Sequence, residues 1–416
     1  MKIKINSWGN THNKNITFTS SLKEQDTILG IGNNNSYGDA SIPFDDYVLK
    51  PAEQKLEPGF FYGKTEIEMI MKDNKKMLFG IPGRNNVTLA GAVASDVHGK
   101  DGFWGGSFIR NVNSINLILS SGRILNCSRT EHPEIFYSTV GGFGLTGYID
   151  SVELKLDNLN YSENFLTESI KGIGIQNLID AFSPIPNTYN VAWINLLSKN
   201  FQWKIEKSTP VDRNTNRKRN NKSVNLELPF AFSFIGKDSF KLMSLINNCY
   251  FSLSRDKSTL QTRKKVLYPL NYFANTKNLA KNRKIIQVQF SIPKIKAYEI
   301  ELLINKLIHN QHPILCSMKK LPKNETNLNL SFVQEGWTIA VDFPQKHFSH
   351  SSIRDFYSEL IKFGGLIYLA KDSTLNAKEF SEMFKNLKEW KKIVKSIDPL
   401  NKFQSELSSR LNIKNW

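Results

Sequence analysis

The most informative segment of this chain is IPGRNNVTLAGAVASDVHGKDGFWGGS (81–107), which sets six glycines, a histidine and a lysine in an apolar frame. Glycine lets the main chain adopt positive φ and approach a ligand closely, and consecutive amides in such turns bind anions. Two more segments repeat the pattern, LGIGNNNSYGDAS (29–41) and TVGGFGLTGYIDSVELKL (139–156). One glycine-rich segment is usually only a turn, but three beside β-branched runs favour a site for a large anionic cofactor.

Length and composition predict a two-domain globular protein. A chain of 416 residues exceeds the size of a single hydrophobic core. Hydrophobic residues make up 40% and aromatic residues 11%, which excludes global disorder. The cysteines Cys127, Cys249 and Cys316 have neither metal-ligand nor disulfide spacing, so we expect a reducing compartment and no metal site.

The N-terminal sequence MKIKINSWGN lacks the apolar region of a secretory signal. No apolar run approaches the ~18 residues that span a bilayer. We therefore expect a cytoplasmic protein that is neither secreted by that route nor integral to a membrane.

The net charge of +17, with a pI of about 9.5, calls for an anionic partner. Nucleic acid is not expected, because the basic residues are scattered and no motif interleaves them with stacking aromatic residues. A phosphorylated substrate fits, and so does the inner face of the plasma membrane, where each surface Lys or Arg adds ~1 kcal/mol of attraction to anionic lipid. A general enrichment in Lys and Asn is the alternative explanation.

Hydrophobic periodicity predicts the elements of the first domain. Residues 86–95 and 112–119 read as strands, 134–140 as a short helix, and 149–156 as the strand that closes the domain.

The second part of the chain has a different composition, because glycine becomes scarce between residues 175 and 363. Strands are predicted at 284–293 and 336–344, and amphipathic helices at 297–310 and 352–364. This pattern favours an α+β class, with an antiparallel sheet and helices on one face.

Two polar basic stretches interrupt this region. Residues 207–223 have almost no apolar side chain, so a mobile surface loop is expected. Residues 254–284 mix basic and aromatic side chains, which suits either contact with a membrane interface or a solvated excursion anchored in the core. Helical spacing returns at 378–411.

Six motifs in a fixed order match those of one flavoprotein family. The motifs are SYGD (36–39), IPG-x4-TLAGAVASDVHGK (81–100), GS (106–107), TVGGFGLTG (139–147), GGLIYLAKDSTLNAKEF (364–380) and EWKKIVKSIDPLNKFQSELSSRL (389–411). They resemble the vanillyl-alcohol oxidase superfamily, with its PCMH-type FAD-binding domain, and within it the decaprenylphosphoryl-β-D-ribose 2'-oxidase family. The likeness runs from Trp8 to about Leu411.

The resemblance implies three regions, an FAD-binding domain at 1–156, a substrate domain at 157–365, and a C-terminal segment, 366–416, that returns to the FAD domain. It also implies FAD-dependent oxidation of C2' of a polyprenyl-phosphate ribose to a keto-sugar. A separate NAD(P)H-dependent short-chain reductase would complete the epimerisation, in the synthesis of cell-envelope arabinan. The alternatives are an aldonolactone or alditol oxidase that uses oxygen, and a flavin-poor scaffold in envelope-sugar assembly.

The resemblance places noncovalent FAD on the glycine segments. Segment 30–39 contains neither His nor Cys, and the family's equivalent of His98 binds flavin without a covalent bond. A core histidine that donates to a backbone carbonyl is the alternative for His98. The implied FAD-binding residues are Gly30, Gly32, Asn33, Asn34, Asn35, Ser36, Tyr37, Gly38, Pro82, Gly83, Asn86, Thr88, Gly91, Ala92, Ser95, His98, Gly99, Lys100, Ser107, Gly141, Gly142, Gly144, Gly147 and Ile149.

Lys371, in YLAKDS, matches the family's active-site lysine, and Tyr37 is the second implied catalytic residue. A lysine can manage the proton of a reacting hydroxyl when burial lowers its pKa towards neutrality. The implied substrate-binding residues are Trp193, Gln287, Gln289, Lys320, Thr338 and Ala340.

The chain departs from the family at several positions. Ala340 stands where the family has cysteine, Thr338 where it has asparagine, and Leu267 where it has tyrosine. Asn35 replaces an arginine of the phosphate loop, and the stretch before the first glycine loop is shortened. Substrate identity is therefore less closely specified by the motifs than cofactor identity.

Overall fold

The computed structural model describes residues 2–22, 27–156, 159, 161–182, 185–211, 240–271, 284–323, 329–414 and 416. Within these residues the strands form three sheets and are joined by helices, so the predicted mixed α+β class is confirmed. The mobile loop predicted at 207–223 is wrong for residues 207–211, which end a strand (Gln202–Val211). The rest of that loop lies outside the described residues, and so does the 272–283 portion of the second basic stretch.

The N-terminal part contains two small sheets. The first consists of β1 (Lys2–Asn6), antiparallel β2 (Asn13–Thr19) and β3 (Tyr47–Leu49), which runs parallel to β2. The second is antiparallel, in the order β4-β7-β5-β6, and contains β4 (Phe60–Tyr62), β5 (Val112–Ile118), β6 (Ile124–Ser128) and β7 (Tyr148–Leu154). The strands predicted at 112–119 and 149–156 are thereby confirmed.

Helices pack against the second of these sheets. They are α1 (Ile67–Asn74), α2 (Leu89–Ala94) and α3 (Pro133–Thr139). Ile67 of α1, Ile115 of β5 and Phe136 of α3 are inaccessible to solvent within one apolar cluster. The helix α3 confirms the prediction for 134–140, and Pro133 occupies its first turn, where a missing N–H costs nothing.

The strand predicted at 86–95 is wrong, because residues 89–94 form α2. Thr88 caps this helix, and its hydroxyl oxygen accepts a hydrogen bond from the Gly91 amide at 3.2 Å. The sequence LAGAVA carries no polar residue to mark a helical period. One side of α2 packs into the apolar cluster while Ala90 and Ala94 line a cavity, so an apolar run could not distinguish helix from strand.

The larger sheet has eight antiparallel strands in the order β11-β8-β10-β9-β13-β14-β12-β15. Its strands are β8 (Asn164–Ile173), β9 (Tyr189–Asn195), β10 (Gln202–Val211), β11 (Lys257–Thr262), β12 (Ile285–Pro293), β13 (Leu315–Leu321), β14 (Gly336–Pro344) and β15 (Leu366–Ile367). The strands predicted at 284–293 and 336–344 are confirmed by β12 and β14.

Five helices accompany this sheet, α4 (Ile175–Ala181), α5 (Phe240–Leu253), α6 (Arg263–Leu267), α7 (Ile300–Ile308) and α8 (Ser352–Lys362). Apolar residues of α4, α7 and α8 share a cluster with one face of the sheet. Residues 294–299 form a 3-10 turn, so the helix predicted at 297–310 begins at Ile300, while α8 confirms the helix predicted at 352–364.

Side chains of the central strands alternate between the two faces of this sheet. Val288 and Phe290 of β12 join the apolar cluster under the helices, and Phe290 contacts Phe356 edge-on with ring centroids 5.1 Å apart. Gln287 and Gln289 point to the other face, towards the glycine segments. The polar face is therefore the floor of a cavity, and the helices support it from below.

The C-terminal segment contacts the N-terminal part of the chain. After β15 it forms α9 (Ala377–Met383), α10 (Leu387–Ile397) and α11 (Glu406–Arg410). Trp390 of α10 is buried and donates its indole N–H to the Ser138 carbonyl at 3.0 Å, and Phe403 pairs with Ile28. Among the described residues, no helix combines the length and hydropathy needed to cross a bilayer.

Arg410 joins the segment that contains Asp39 to the segment that contains Asp372. Its guanidinium donates to both oxygens of Asp39, at 2.7 and 2.8 Å, and to Asp372 Oδ2 at 2.9 Å. Both carboxylates are almost fully buried. Asp39 follows Tyr37 by two residues, and Asp372 directly follows Lys371. By holding both aspartates, Arg410 fixes the positions of Tyr37 and Lys371 relative to each other.

Replacing Arg410 with Ala should therefore destabilise the fold, since two buried carboxylates would lose their shared cation. Breaking such a pair typically costs about 3–5 kcal/mol. Urea unfolding monitored by circular dichroism measures the change, with the exposed Arg123→Ala as the charge-matched control. A loss no larger than that of the control would show that the arginine is dispensable.

Candidate functional site

A cavity of about 450 Å³ lies between the polar face of the eight-stranded sheet and the glycine segments. Its walls bring together most of the residues singled out in the sequence. Those that line it are Gly30, Gly32, Asn33, Asn34, Asn35, Ser36, Pro82, Gly83, Thr88, Gly91, Ser95, His98, Lys100, Gly144, Gly147, Ile149, Trp193, Gln287, Gln289, Ala340 and Lys371.

Other predicted residues lie behind this lining. They are Tyr37, Gly38, Asn86, Ala92, Gly99, Ser107, Gly141, Gly142 and Thr338. Ala92 is fully buried in the apolar cluster, and a Cβ at Gly38 would collide with the Asp372 carbonyl oxygen. Thr338 accepts a hydrogen bond from Gln289 Nε2 at 3.0 Å, so it orients a lining residue without reaching the cavity.

Gly141 and Gly142 are required by the turn itself. Gly141 has a φ of +74°, where a side chain is strained, and its Cβ would approach Ser331 Cα at 3.3 Å. A Cβ at Gly142 would collide with the Ser138 carbonyl oxygen. The structure therefore assigns these glycines to the fold of the turn, while Gly144 and Gly147 of the same segment reach the cavity.

Lys320, predicted to bind substrate, is not among the described residues that line the cavity. Its ammonium lies 4.3 Å from the centroid of the Phe103 ring and 5.5 Å from that of Trp337, on the helix-covered side of the sheet. Lys319 lines the cavity instead. Because successive residues of a strand point to opposite faces, a slip of one position exchanges the two lysines.

The first glycine loop presents backbone donors to the cavity. Among the described residues, no backbone N–H from Gly30 to Ser36 has a hydrogen-bond acceptor. The buried Asn34 Oδ1 and Ser41 Oγ, both on lining residues, likewise have no partner within the described part of the chain. Buried polar groups are normally satisfied, so this loop fits a ligand with an anionic, acceptor-rich segment such as a pyrophosphate.

Lys371 sits at the sheet end of the cavity, beside Tyr37. Its ammonium lies 3.9 Å from the centroid of the Tyr37 ring, and the Tyr37 amide donates to the Ala370 carbonyl at 3.0 Å. Burial lowers the pKa of Lys371 to about 7, although the Asp342 carboxylate opposes this change. Burial also raises the pKa of Tyr37, so its hydroxyl stays protonated.

Asp342 is a functional candidate that sequence reasoning missed. It lines the cavity from β14, two residues beyond Ala340 on the same face, and Gln287 Nε2 donates to its Oδ1. Burial raises the pKa of Asp342 to about 6, against the hydrogen bond from Gln287 and the charge of Lys371. Strand alternation from Ala340 was the signal that could have found it.

The surroundings of His98 favour a neutral imidazole ring that can donate a hydrogen bond. Gln289 Nε2 donates to His98 Nε2 at 2.8 Å, so the ring proton is assigned to Nδ1. Burial lowers the pKa of His98 well below its usual value, and the charges of Lys319 and Lys371 lower it further. Nδ1 is buried without a partner among the described residues, which disfavours the satisfied core histidine and leaves a donor for a ligand.

Arg84 supplies a cation that the loop sequence lacks. It lines the cavity from the IPGR turn, with its guanidinium carbon 4.8 Å from the centroid of the Trp8 ring. Asn35, at the position of the family's arginine, donates instead to the Asn86 carbonyl at 3.2 Å. The position of Arg84 depends on packing against Trp8, which the motifs do not reveal.

The cavity has a strongly basic lining. Among the described residues that line it, two are acidic, Glu206 and Asp342. Eight are basic: Lys64, Arg84, Lys100, Lys204, Lys257, Lys265, Lys319 and Lys371. This imbalance favours an anionic ligand.

The comparisons with known proteins agree with the motifs. No family model matches the chain. Over 351 residues, the chain is 26% identical to decaprenylphosphoryl-β-D-ribose oxidase from Mycolicibacterium smegmatis, a match that covers 80% of this chain and 75% of that protein. The predicted resemblance is confirmed. The chain is an FAD-dependent oxidoreductase.

Shorter matches extend the comparison to the wider superfamily. Over 73 residues the oxidoreductase is 33% identical to cytokinin dehydrogenase 2 from Arabidopsis thaliana, covering 18% of this chain and 15% of that protein. An uncharacterised protein from the mprA 5' region of Streptomyces coelicolor is 31% identical over 120 residues, or 28% of this chain and 32% of that protein. Both matches are too short to indicate a substrate.

Proposed function

We propose that this oxidoreductase uses noncovalent FAD to oxidise C2' of a polyprenyl-phosphate ribose, giving a keto-sugar. The observation that carries the proposal is the group formed by Lys371, Tyr37 and Asp342 at one end of a basic cavity. The name of the mycobacterial relative supports the choice of substrate. We also infer a PCMH-type FAD-binding domain at 1–156, a substrate domain at 157–365 and a returning segment at 366–416.

The first glycine loop, Asn34, Ser41 and His98 would hold the cofactor, because they offer polar groups at the cavity that have no partner among the described residues. Noncovalent attachment is supported by the loop sequence, which contains neither His nor Cys from 30 to 39. Cys316 also lines the cavity, but burial raises its thiol pKa and so disfavours the reactive thiolate.

FAD, when bound, supplies the acceptor for the hydride that leaves the carbinol carbon. The protein must then remove the hydroxyl proton as the carbonyl bond forms. Because its pKa is about 7, a large fraction of Lys371 is neutral at neutral pH, and its Nζ can accept that proton. Asp342 stabilises the ammonium that results, and Tyr37 positions it.

We propose two further partners of this activity. A separate NAD(P)H-dependent short-chain reductase would reduce the keto-sugar and complete the epimerisation. The lipid part of the substrate and the net charge of +17 support peripheral contact with the inner, anionic face of the plasma membrane from the cytoplasm.

Asp342→Asn should shift the pH dependence of flavin reduction to lower pH. In the parent protein the rate should rise as Lys371 loses its proton, with a midpoint near its pKa of about 7. The Asp342 carboxylate raises that pKa, so its removal lowers the midpoint, while Lys319 and Arg84 continue to lower it. Rapid mixing across the pH range measures both profiles.

The exposed Asp355→Asn provides the control, since it removes the same charge far from the cavity lining. Loss of reduction at every pH in Asp342→Asn, with flavin still bound, would instead make Asp342 the proton acceptor.

Product analysis tests the proposed function. The purified protein is supplied with polyprenyl-phosphate ribose, an alditol and an aldonolactone, each with an artificial electron acceptor or with oxygen. We expect a ketone only from the ribose lipid, detected as an epimeric pair after borodeuteride reduction. Preferred turnover of the alditol or the lactone with oxygen would replace the proposal with the corresponding oxidase activity, and an acid supernatant without flavin would argue against noncovalent attachment.

A further inference from the structure

Four lysines gather at the cavity end opposite Lys371. They come from different elements, the loop after α2, β10, β11 and α6, and we call them the lysine cluster. Its members are Lys100, Lys204, Lys257 and Lys265. One carboxylate, Glu206, accompanies them among the described lining residues.

Glu206 shows that the cluster is compact. Lys204 Nζ lies 3.1 Å from Glu206 Oε1 and 3.4 Å from the Tyr250 hydroxyl. Burial alone would raise the pKa of Glu206, but the charges of Lys204, Lys100 and Lys265 hold it below its ordinary value. Conversely, burial lowers the pKa of Lys100 to about 8. The ammonium groups of Lys204, Lys100 and Lys265 therefore all act on Glu206 in a partly buried space, and the same charges would attract an added anion.

The cluster is continuous with the floor of the reaction site. Adjacent strands place a row of lining residues directly opposite one another, and the row is Lys204, Trp193, Ser317, Ala340 and Gln289. Three strand spacings separate Lys204 from Ala340, or ~14 Å between backbones at ~4.8 Å per strand. A lysine side chain, a phosphate and a pentose can together cover that distance, so one ligand can touch both ends.

We propose that the lysine cluster binds a phosphate ester group of the substrate and thereby holds the attached sugar over the Gln289 and Lys371 end of the cavity. This inference rests on the proposed function. Hydrogen bonds from ammonium to phosphate are charge-assisted, and lysine binds phosphate as a point charge, so donors from different elements can converge on it. Glu206 limits the total positive charge and keeps Lys204 in place.

The test compares two double variants of the FAD-loaded protein. Lys257→Gln with Lys265→Gln removes two charges of the cluster, while Lys72→Gln with Lys264→Gln removes two exposed charges that do not line the cavity. Calorimetry measures the affinity for inorganic phosphate, for ribose 5-phosphate and for a polyprenyl phosphate in detergent. We expect about a tenfold loss for each cluster lysine, hence ~100-fold for the cluster variant and no change for the control.

Equal affinities in the two double variants would overturn the inference. If circular dichroism shows that the cluster variant does not fold, the single variant Lys265→Gln replaces it. The neighbouring Lys264→Gln is then the control, and the same phosphate affinities are compared. Flotation with vesicles of phosphatidylglycerol or of phosphatidylcholine tests whether the cluster binds the phosphate of lipid headgroups instead of the phosphate of the substrate. The cluster variant could lose binding to anionic vesicles and keep its affinity for ribose 5-phosphate and polyprenyl phosphate. That result would assign the cluster to membrane contact and would also overturn the inference.

The proposed function can fail separately. If no ribose phosphate reduces the flavin in any variant, the assigned reaction is wrong, yet the contrast in phosphate affinity still decides whether the cluster is an anion site. If the ribose lipid reduces the flavin equally well and at the same half-saturating concentration in both double variants, the reaction stands and the phosphate assignment falls.

Discussion

Lys371→Met should retain the fold and the bound flavin but reduce the flavin ~10²–10⁴-fold more slowly than the parent protein when substrate is added, the range typical of positioned acid–base groups. Methionine fills a similar volume over the Tyr37 ring without providing a proton acceptor. The ammonium of Lys371 lies 3.9 Å from the centroid of that ring, and burial brings its pKa to about 7. Anaerobic rapid mixing at several substrate concentrations gives both the limiting rate and the apparent dissociation constant.

The two parameters separate the possible roles of this lysine. Loss of proton transfer lowers the limiting rate, whereas loss of an anion contact raises the dissociation constant and preserves that rate. Lys320→Met is the control, because Lys320 lies on the opposite face of the sheet and contacts the Phe103 and Trp337 rings. If Lys371→Met leaves the limiting rate and the dissociation constant unchanged, Lys371 does not have the role of the family's active-site lysine.

Ala94→Trp is expected to abolish flavin retention. Ala94 lies at the end of α2 and lines the cavity, so an indole at this position would occupy volume that the glycine segments enclose. The expected result is a colourless protein of native secondary structure. Added FAD should raise the melting temperature of the parent protein, because a ligand bound only by the folded state stabilises it, and should leave the variant unchanged.

Met69→Trp provides the matched control for added bulk. Met69 is 53% exposed on α1, outside the cavity lining, so this variant should remain yellow. Stoichiometric flavin in purified Ala94→Trp would mean that the cofactor does not use this part of the cavity, and the assignment of 81–107 to the flavin site would lose its basis.

The motifs predicted the residues that depend on local sequence. Lys371 and His98 stand in specific contexts, and the structure brings both to the cavity lining although they lie far apart in the sequence. Lys371 contacts the Tyr37 ring, and His98 Nε2 accepts a hydrogen bond from Gln289. Short-range signals also located α3, β12 and β14, whose periodicities are clear. The segment that forms α2 was misread, because its apolar run faces protein on one side and the cavity on the other.

Residues whose role depends on strand order could not be found in this way. Lys204 joins the row formed by Trp193, Ser317 and Ala340 only through the order β10-β9-β13-β14, which no local pattern encodes. The sequence alone could not distinguish Lys319 from Lys320, because both are lysines of one strand. The register of β13 decides between them, since adjacent residues of a strand point to opposite faces of the sheet.

Anaerobic bleaching of the protein's flavin band by two synthetic lipids tests whether the sugar hydroxyl reduces the flavin. One is a polyprenyl-phosphate β-D-ribose, and the other is its 2'-deoxy analogue, which keeps the phosphate and the lipid but has no hydroxyl to oxidise. We expect the ribose lipid to bleach the flavin in one rapid phase and the deoxy analogue to bind without bleaching. Bleaching by both lipids would show that the 2'-hydroxyl is not the group oxidised. Bleaching by neither lipid, while an alditol or an aldonolactone bleaches the flavin, would show that the substrate is not the ribose lipid.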